Sequence, residues 1–499
     1  MRFPFGPYTP DLPDFENQGS DRMLNVLPVR GGYEPARAQV RIGTAVSSDL
    51  VIGAVSAFDE TENAQQYAGT TAGLFQQGAG GASWNDVSKA GGYTATEINR
   101  WRFTNFGLQL IGTNSVDPVQ AKNLRGVASF DDLAGAPPTA KYIATVRDFV
   151  VLAFTNDGQI NPYRLHWSGI GNATSWPVPG SDPAIQVQSD VQDLPGDFGH
   201  ITGIVGGLSG ADGVVFQERG MTRMSFDTTG RFFFLFDTIE GGRGTTAPNS
   251  IVQVAGIVYY LGEDGFYSFN GIQSHGIGAG KIDRTFFDDV RLSELDQITA
   301  TADPLKKIVY WTYPSRFEGK KTLAYSWDVD QWTEIDGWNV VQMTQALTVG
   351  VSLDDDTGGD DDLLDSDAPS LDSEIWAGGN QIVGGFDAEG FFVSFEGIPL
   401  TATVRTTEQA ISMDRRFFLR ELWPDVEGAA RVKMRVIHRS LLTEEPRIGA
   451  YTDKNDVGFC PQRVNDRYMR SEAVIEPDPS QAWRFVRSVE AVGEAVGRR

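Results

Sequence analysis

Cysteine is almost missing from this chain of 499 residues: Cys460 is the sole one, so no disulfide can form within the chain. Histidine is nearly as scarce, and four imidazoles plus one thiol leave no cluster with the spacing of zinc ligands. No run of about 18 apolar residues occurs, so no segment reads as a membrane-crossing helix. The opening "MRFPFGPYTPDLPDF" has neither a basic n-region nor an apolar h-region and does not read as a signal peptide. The expectation is a soluble protein, made in a reducing cytoplasm and without membrane insertion.

Positive charge is the other shortage. Lys and Arg number 42 against 66 Asp and Glu, for a formal charge of −24. From Thr322 to Val404 there is no Lys or Arg and there are 17 acidic residues, so this stretch holds −17 of the −24. Its centre, "LDDDTGGDDDLLDSDAPSLDSE" (353–374), is a like-charge block that must stay solvated. Such a chain does not bind duplex DNA by neutralising phosphates, which takes a basic face. Asp354, Asp355, Asp356, Asp360, Asp361, Asp362, Asp365 and Asp367 are the candidate site residues of the block. An ordered calcium loop is one reading of them. However, "DDDTGGDDDLLD" has the acidic density of an EF-hand without its order of ligands and glycine, and a mobile solvated loop is the preferred reading. No cofactor is expected.

What the chain does have is glycine, proline and aromatic residues: 56 Gly, 24 Pro and 11% Phe, Trp and Tyr. That favours many turns between short strands. "VYYLGEDGFYSFNG" (258–271) reads as strand, turn at Asp264-Gly265, strand, turn at Asn270-Gly271, with positive φ expected at the first turn. The pattern recurs in "YAGTTAGLFQQGAGGASWNDVS", "RWRFTNFGLQLIGTN", "RDFVVLAFTNDGQINPYRLHWSG", "DGVVFQERGMTRMSFD", "KKIVYWTYPSRFEGKKTLAYSWDVDQW" and "SEIWAGGNQIVGGFDAEGFFVSFEG". Leading strands start near 67, 108, 149, 214, 257, 308 and 375, at intervals close to or above the roughly 40–50 residues of a propeller blade. The expectation is therefore all-β: a β-propeller of irregular hairpin-based blades over 61–400 with the acidic insertion at 353–374. A set of β-sandwiches is the competing arrangement. Residues 1–60, with Pro4, Pro7, Pro10 and Pro13, read as an extended strap. In 401–499 the strand "RVKMRVIHR" puts Val432, Met434, Val436 and His438 on one face and Arg431, Lys433, Arg435 and Arg439 on the other. A separate C-terminal β-sandwich or β-barrel is expected there.

Catalytic signals are weak, and no catalytic, cofactor-binding or metal residue is assigned. His166 beside Ser168 lacks an orienting acid and reads as a half-buried strand histidine. "GGLSGADG" is not a nucleophile elbow, and the Gly-rich stretches lack the Lys-Ser/Thr of a phosphate loop. "SWDVDQW" approaches the Asp-box turn of sialidases but has Asp330 where those have Gly. Paired carboxylates could serve glycoside cleavage, yet 66 acidic residues give no basis for choosing a pair.

Seven stretches taken in order carry a resemblance: "DRMLNVLPVRGGYEP", "GAPPTAKYIATVRDFVVL", "WSGIGNATSW", "QSDVQDLPGDFGHITGIVGG", "GVVFQERGMTRMSF", "IEGGRGTTAPNSIV" and "LGEDGFYSFNGIQSHGIGAGKIDRTFF". The set resembles the tail-nozzle proteins, also described as head-closure or packaged-DNA-stabilisation proteins, of short-tailed double-stranded DNA bacteriophages. It is dense from about 135 to 290 and thinnest over 340–400. The resemblance implies a propeller-bearing, non-enzymatic homo-hexamer of the virion tail, forming the distal part of the DNA exit channel. Adaptor subunits would sit above it and a tail fibre or spike beside it, and duplex DNA would pass through without specific binding. The acidic block is then expected to face the lumen or the tube tip. The alternative is a receptor-binding or glycan-degrading tail protein with a carboxylate site on the propeller.

Overall fold

Antiparallel pairing between strands adjacent in sequence builds most of the molecule. The computed structural model of the protein describes all residues except 15, 16, 62, 79, 80, 82, 209, 210, 229–232, 348–380, 411–414, 429, 430, 479–482 and 497–499. The described residues are all-β, with two short α-helices, Asp182–Val187 and Asp283–Asp289.

Seven small sheets follow one another. Sheet I is Val51–Phe58, Ala64–Thr70, Leu74–Gln77 and Trp84–Asp86, and sheet II is Arg102–Phe106, Gln109–Thr113, Gln120–Asn123 and Asp131–Asp132. Sheet III runs from Thr139–Val146 to Asp190–Asp193, sheet IV from Ile201–Leu208 to Phe234–Gly241, and sheet V from Val252–Val254 to Ser274–Gly276. Sheet VI is Thr299–Asp303, Ile308–Pro314, Lys320–Ser326 and Gln331–Ile335. Sheet VII takes Gln342–Leu347, Gln381–Phe386 and Phe391–Ser394, and its fourth strand is Val40–Ala45 from the other end of the chain. This arrangement is compatible with a propeller.

The glycines of the first strands show how tightly neighbouring sheets meet. A Cβ on Gly206 in sheet IV would stand 1.9 Å from the carbonyl oxygen of Thr145 in sheet III. That spacing admits only glycine.

The hairpin at 258–271 forms, but its first turn differs from expectation. Leu261 pairs with Phe266, and Gly262 N–H bonds to Gly265 C=O at 2.8 Å, so Glu263-Asp264 make the turn. Neither Asp264 nor Gly265 has positive φ, whereas Gly271 does, at 91°. Gly265 is glycine for another reason: a Cβ there would lie 2.3 Å from the Asp283 carboxylate.

The C-terminal strands form two sheets. One joins Cys460–Asp466, Arg416–Glu427 and Phe485–Val496 to Gly32–Pro35, Val26–Val29 and Arg2–Pro4. The other continues sheet VI: Ser20–Leu24 pairs in parallel with Gln331–Ile335 and antiparallel with Ala402–Thr406, followed by Tyr468–Glu476 and Arg431–Arg439. Val432, Met434 and Val436 are buried, as the alternation predicts, in one core with Leu419, Val486 and Trp311.

The charged face of that strand is not simply wet. Glu472, 2% exposed, accepts from Arg435 at 2.6 Å and Arg405 at 3.1 Å, and also holds Tyr451 Oη–H. Asp21 accepts from Arg405 at 2.6 Å and Arg470 at 2.9 Å, tying the N-terminal segment to the C-terminal sheet. Asp11 accepts from the N–H groups of Arg284 and Thr285 at 2.8 and 2.9 Å, capping the helix Asp283–Asp289 from across the sequence.

Candidate functional site

The first strands of all seven sheets line one shared cavity of about 430 Å³. Its wall includes Ile52–Ser56 of sheet I, Arg102 and Phe103 of sheet II, Tyr142 and Ile143 of sheet III, and Gly203–Val205 of sheet IV. Val252 and Gln253, Ala300 and Thr301, and Gln342–Gln345 complete the round from sheets V, VI and VII. Strand alternation sends every second side chain of these strands inward. Arg102, at the start of its strand, and Arg100, just before it, both line the cavity.

Among the described residues no Asp or Glu lines this cavity, and the charged ones that do are cationic. Arg100 is 8% exposed, donates from Nη1 to Gln342 Oε1 at 2.9 Å, and has no partner for Nε among the described residues. Arg102 donates from Nη2 to Asn249 Oδ1 at 2.7 Å and lies 4.7 Å over the Tyr142 ring. Lys141 stands 5.8 Å from the same ring, and Lys320 Nζ donates to Val340 C=O at 3.1 Å. Burial, then the like charge of Arg102, push Arg100 down to about 10. Burial and then Arg100 push Lys320 down to about 8, and burial and then Arg102 lower Lys141. Glu97 and Asp296 act from a distance; no carboxylate of the described residues is within ion-pair reach of these four cations. The signal was present in the sequence as "RWR" at 100–102, read there only as the edge of a hairpin.

A second groove, of about 600 Å³, is lined by Asp59, Glu60 and Asp86 with Gln65, Gln76 and Asn85. Asp59 already accepts from Thr61 and Asn63 N–H at 2.8 and 3.0 Å, and its hydrogen bond with the Thr61 hydroxyl is the main reason its carboxyl sits below the usual range.

The candidate acidic residues Asp354, Asp355, Asp356, Asp360, Asp361, Asp362, Asp365 and Asp367 lie outside the described residues. His166 is a partly buried strand residue whose ring meets Trp176 edge-on at 5.2 Å, and burial drops its pKa to about 4. In the "SWDVDQW" turn, Asp330 takes the left-handed φ of 55° where an Asp-box has glycine, and its carboxylate binds Lys281 at 2.6 Å. Asp328 of the same turn is held down at about 2, chiefly by hydrogen bonds from Arg30 and Lys307. Ser440 and His438 both bond to Asp466, but on its two different oxygens, so these three residues do not form a nucleophile–base relay.

No family model matches the chain, and no curated protein matches it. Among solved structures, one from the mitotic checkpoint complex aligns over 74% of this chain and 98% of its own, at 9% identity and a TM-score of 0.40. The computationally designed Ika8 protein aligns over 78% of this chain and 100% of its own, at 11% identity and a TM-score of 0.36. Likeness at this level carries no inference about function.

Proposed function

We propose that the protein is a structural subunit of the tail of a short-tailed double-stranded DNA bacteriophage. In this reading it is a nozzle that forms the distal DNA exit channel, retains the packaged genome and lets it out. The seven sheets are then the blades of a β-propeller, with sheet VII closed by the strand Val40–Ala45, and the two C-terminal sheets are a β-sandwich around their common core. The working form is a homo-hexamer touching adaptor subunits above and a fibre or spike at the side, and it performs no catalysis.

The observation that carries this reading is charge. A conduit for DNA must not grip phosphates, since each neutralised phosphate releases counterions and adds affinity. Acidic residues exceed basic ones by 24, and the surplus is concentrated between 322 and 404. Many surface cations are already engaged, as Arg164 is by Asp193 and Asp157 and Arg487 is by Glu427. Electron microscopy of intact virions, with the chain labelled, is expected to find six copies in a ring at the far end of the tail. A monomer or trimer placed off the tail axis overturns the proposal.

The glycan-degrading alternative draws on the groove with Asp59, Glu60 and Asp86. A general acid in such a site needs a carboxyl pushed up towards neutrality, and Asp59 is shifted the other way. The same preparation tested on host surface polysaccharide is expected to release no oligosaccharide.

A further inference from the structure

The cation cluster in the shared cavity is unexplained by a channel subunit, whose DNA would run outside this small space. Burying like charges side by side is costly unless something anionic completes the site. Among the described residues no carboxylate comes within ion-pair reach of Arg100, Arg102, Lys141 or Lys320. Arg100 Nε is buried without a partner among the described residues, and the side chains that the two guanidiniums do bond to, Gln342 and Asn249, are neutral amides that orient them without discharging them.

We propose that this cavity binds a small multivalent oxyanion, a phosphate ester or a polycarboxylate, gripped by the guanidiniums of Arg100 and Arg102. Guanidinium forks match oxyanion geometry in pairs of N–H bonds, which a lysine point charge does not. Lys141 and Lys320 add charge from behind the wall. The volume of about 430 Å³ suits a metabolite-sized ligand and excludes a nucleic-acid duplex. Of the aromatic residues in the wall, Tyr142 has its ring against the Arg102 guanidinium. Because first strands of all seven sheets meet here, an occupant would also brace the sheets against one another. This inference goes beyond the tail assignment and does not depend on it.

The test is calorimetric titration of the full-length chain with sodium phosphate and with citrate, each against sodium chloride at matched ionic strength. Saturable heat from either anion is expected, together with a rise in Tm that grows with its concentration. A response to phosphate alone identifies the phosphate-ester class, and a response to citrate alone the polycarboxylate class. Arg102→Gln is expected to weaken binding about tenfold or more, and Arg102→Lys to fall between it and the parent. Lys141→Met, outside the wall, is expected to weaken binding by a few-fold and serves if Arg102→Gln does not fold. Absence of saturable heat from both anions at millimolar concentration overturns the proposal. So does unchanged affinity in the folded Arg102 or Lys141 variant.

Discussion

Asp283 shows how one side chain can be paid for by its neighbours. Two glycines make room for it: a Cβ on Gly278 would stand 1.9 Å from its Oδ1, and one on Gly265 2.3 Å from its Oδ2. It accepts from Phe266 N–H at 3.1 Å. Burial raises its pKa from 3.8 to about 6, against that hydrogen bond and with help from Asp11 and Asp264. The folded protein therefore keeps a proton that the unfolded chain has already lost between pH 4 and 6, so this group's contribution to stability falls as pH rises through that window. Asp283→Asn keeps the acceptor and removes the charge. It is expected to flatten this part of the Tm-against-pH curve and to raise Tm at pH 7, as scanning calorimetry would show. An unchanged slope would contradict the account. The "EDG" turn was legible in the residues but its register was not, because a positive-φ glycine and a close-packed glycine are the same letter.

At the scale of the element, the strands that could be read were the second and third of each sheet. The expected starts near 67, 108, 149, 214, 257 and 308 fall on or beside Ala64–Thr70, Gln109–Thr113, Phe149–Asn156, Ala211–Gln217, Ile257–Leu261 and Ile308–Pro314, and the one near 375 lies outside the described residues. Phe149–Asn156, Ile257–Leu261 and Ile308–Pro314 read as aromatic and β-branched runs, and Ile308–Pro314 is buried throughout. First strands such as Ile201–Leu208 and Gln342–Leu347 are rich in glycine or amides because they line the cavity and touch their neighbours' backbones, so no hydrophobic period marks them. The cation cluster escaped notice for the same reason. Trp332 of sheet VI tests the packing. It is fully buried, stacks on Trp311 at 5.6 Å, meets Phe266 at 5.0 Å, and donates from Nε1 to Ile277 C=O at 2.9 Å. Trp332→Ala is expected to cost roughly 3–5 kcal/mol in denaturant unfolding. A loss below about 1 kcal/mol would mean that the site collapses without penalty.

For the whole molecule, the decisive contacts join the two ends of the sequence. Val40–Ala45 completes sheet VII beside Phe391–Ser394, Ser20–Leu24 sits between Gln331–Ile335 and Ala402–Thr406, and Arg2–Pro4 edges Phe485–Val496. Nothing local in a proline-rich opening announces partners more than 300 residues away, which is why it read as a strap rather than as strands of three sheets. These pairings also cover edges that would otherwise offer unpaired N–H and C=O groups to other chains. Deleting residues 1–45 should therefore damage the protein far more than its length suggests. The truncated chain is expected to aggregate or to unfold in several overlapping steps, while deletion of residues 1–4, which removes one edge strand, leaves a single cooperative transition at slightly lower Tm. Supplying residues 1–45 as a separate peptide during refolding is expected to restore solubility, because the missing strands dock by backbone pairing. If the 1–45 deletion melts as sharply as the full chain, the seven sheets do not depend on the N-terminal strand, and the pairing of Val40–Ala45 with Phe391–Ser394 does not hold them together.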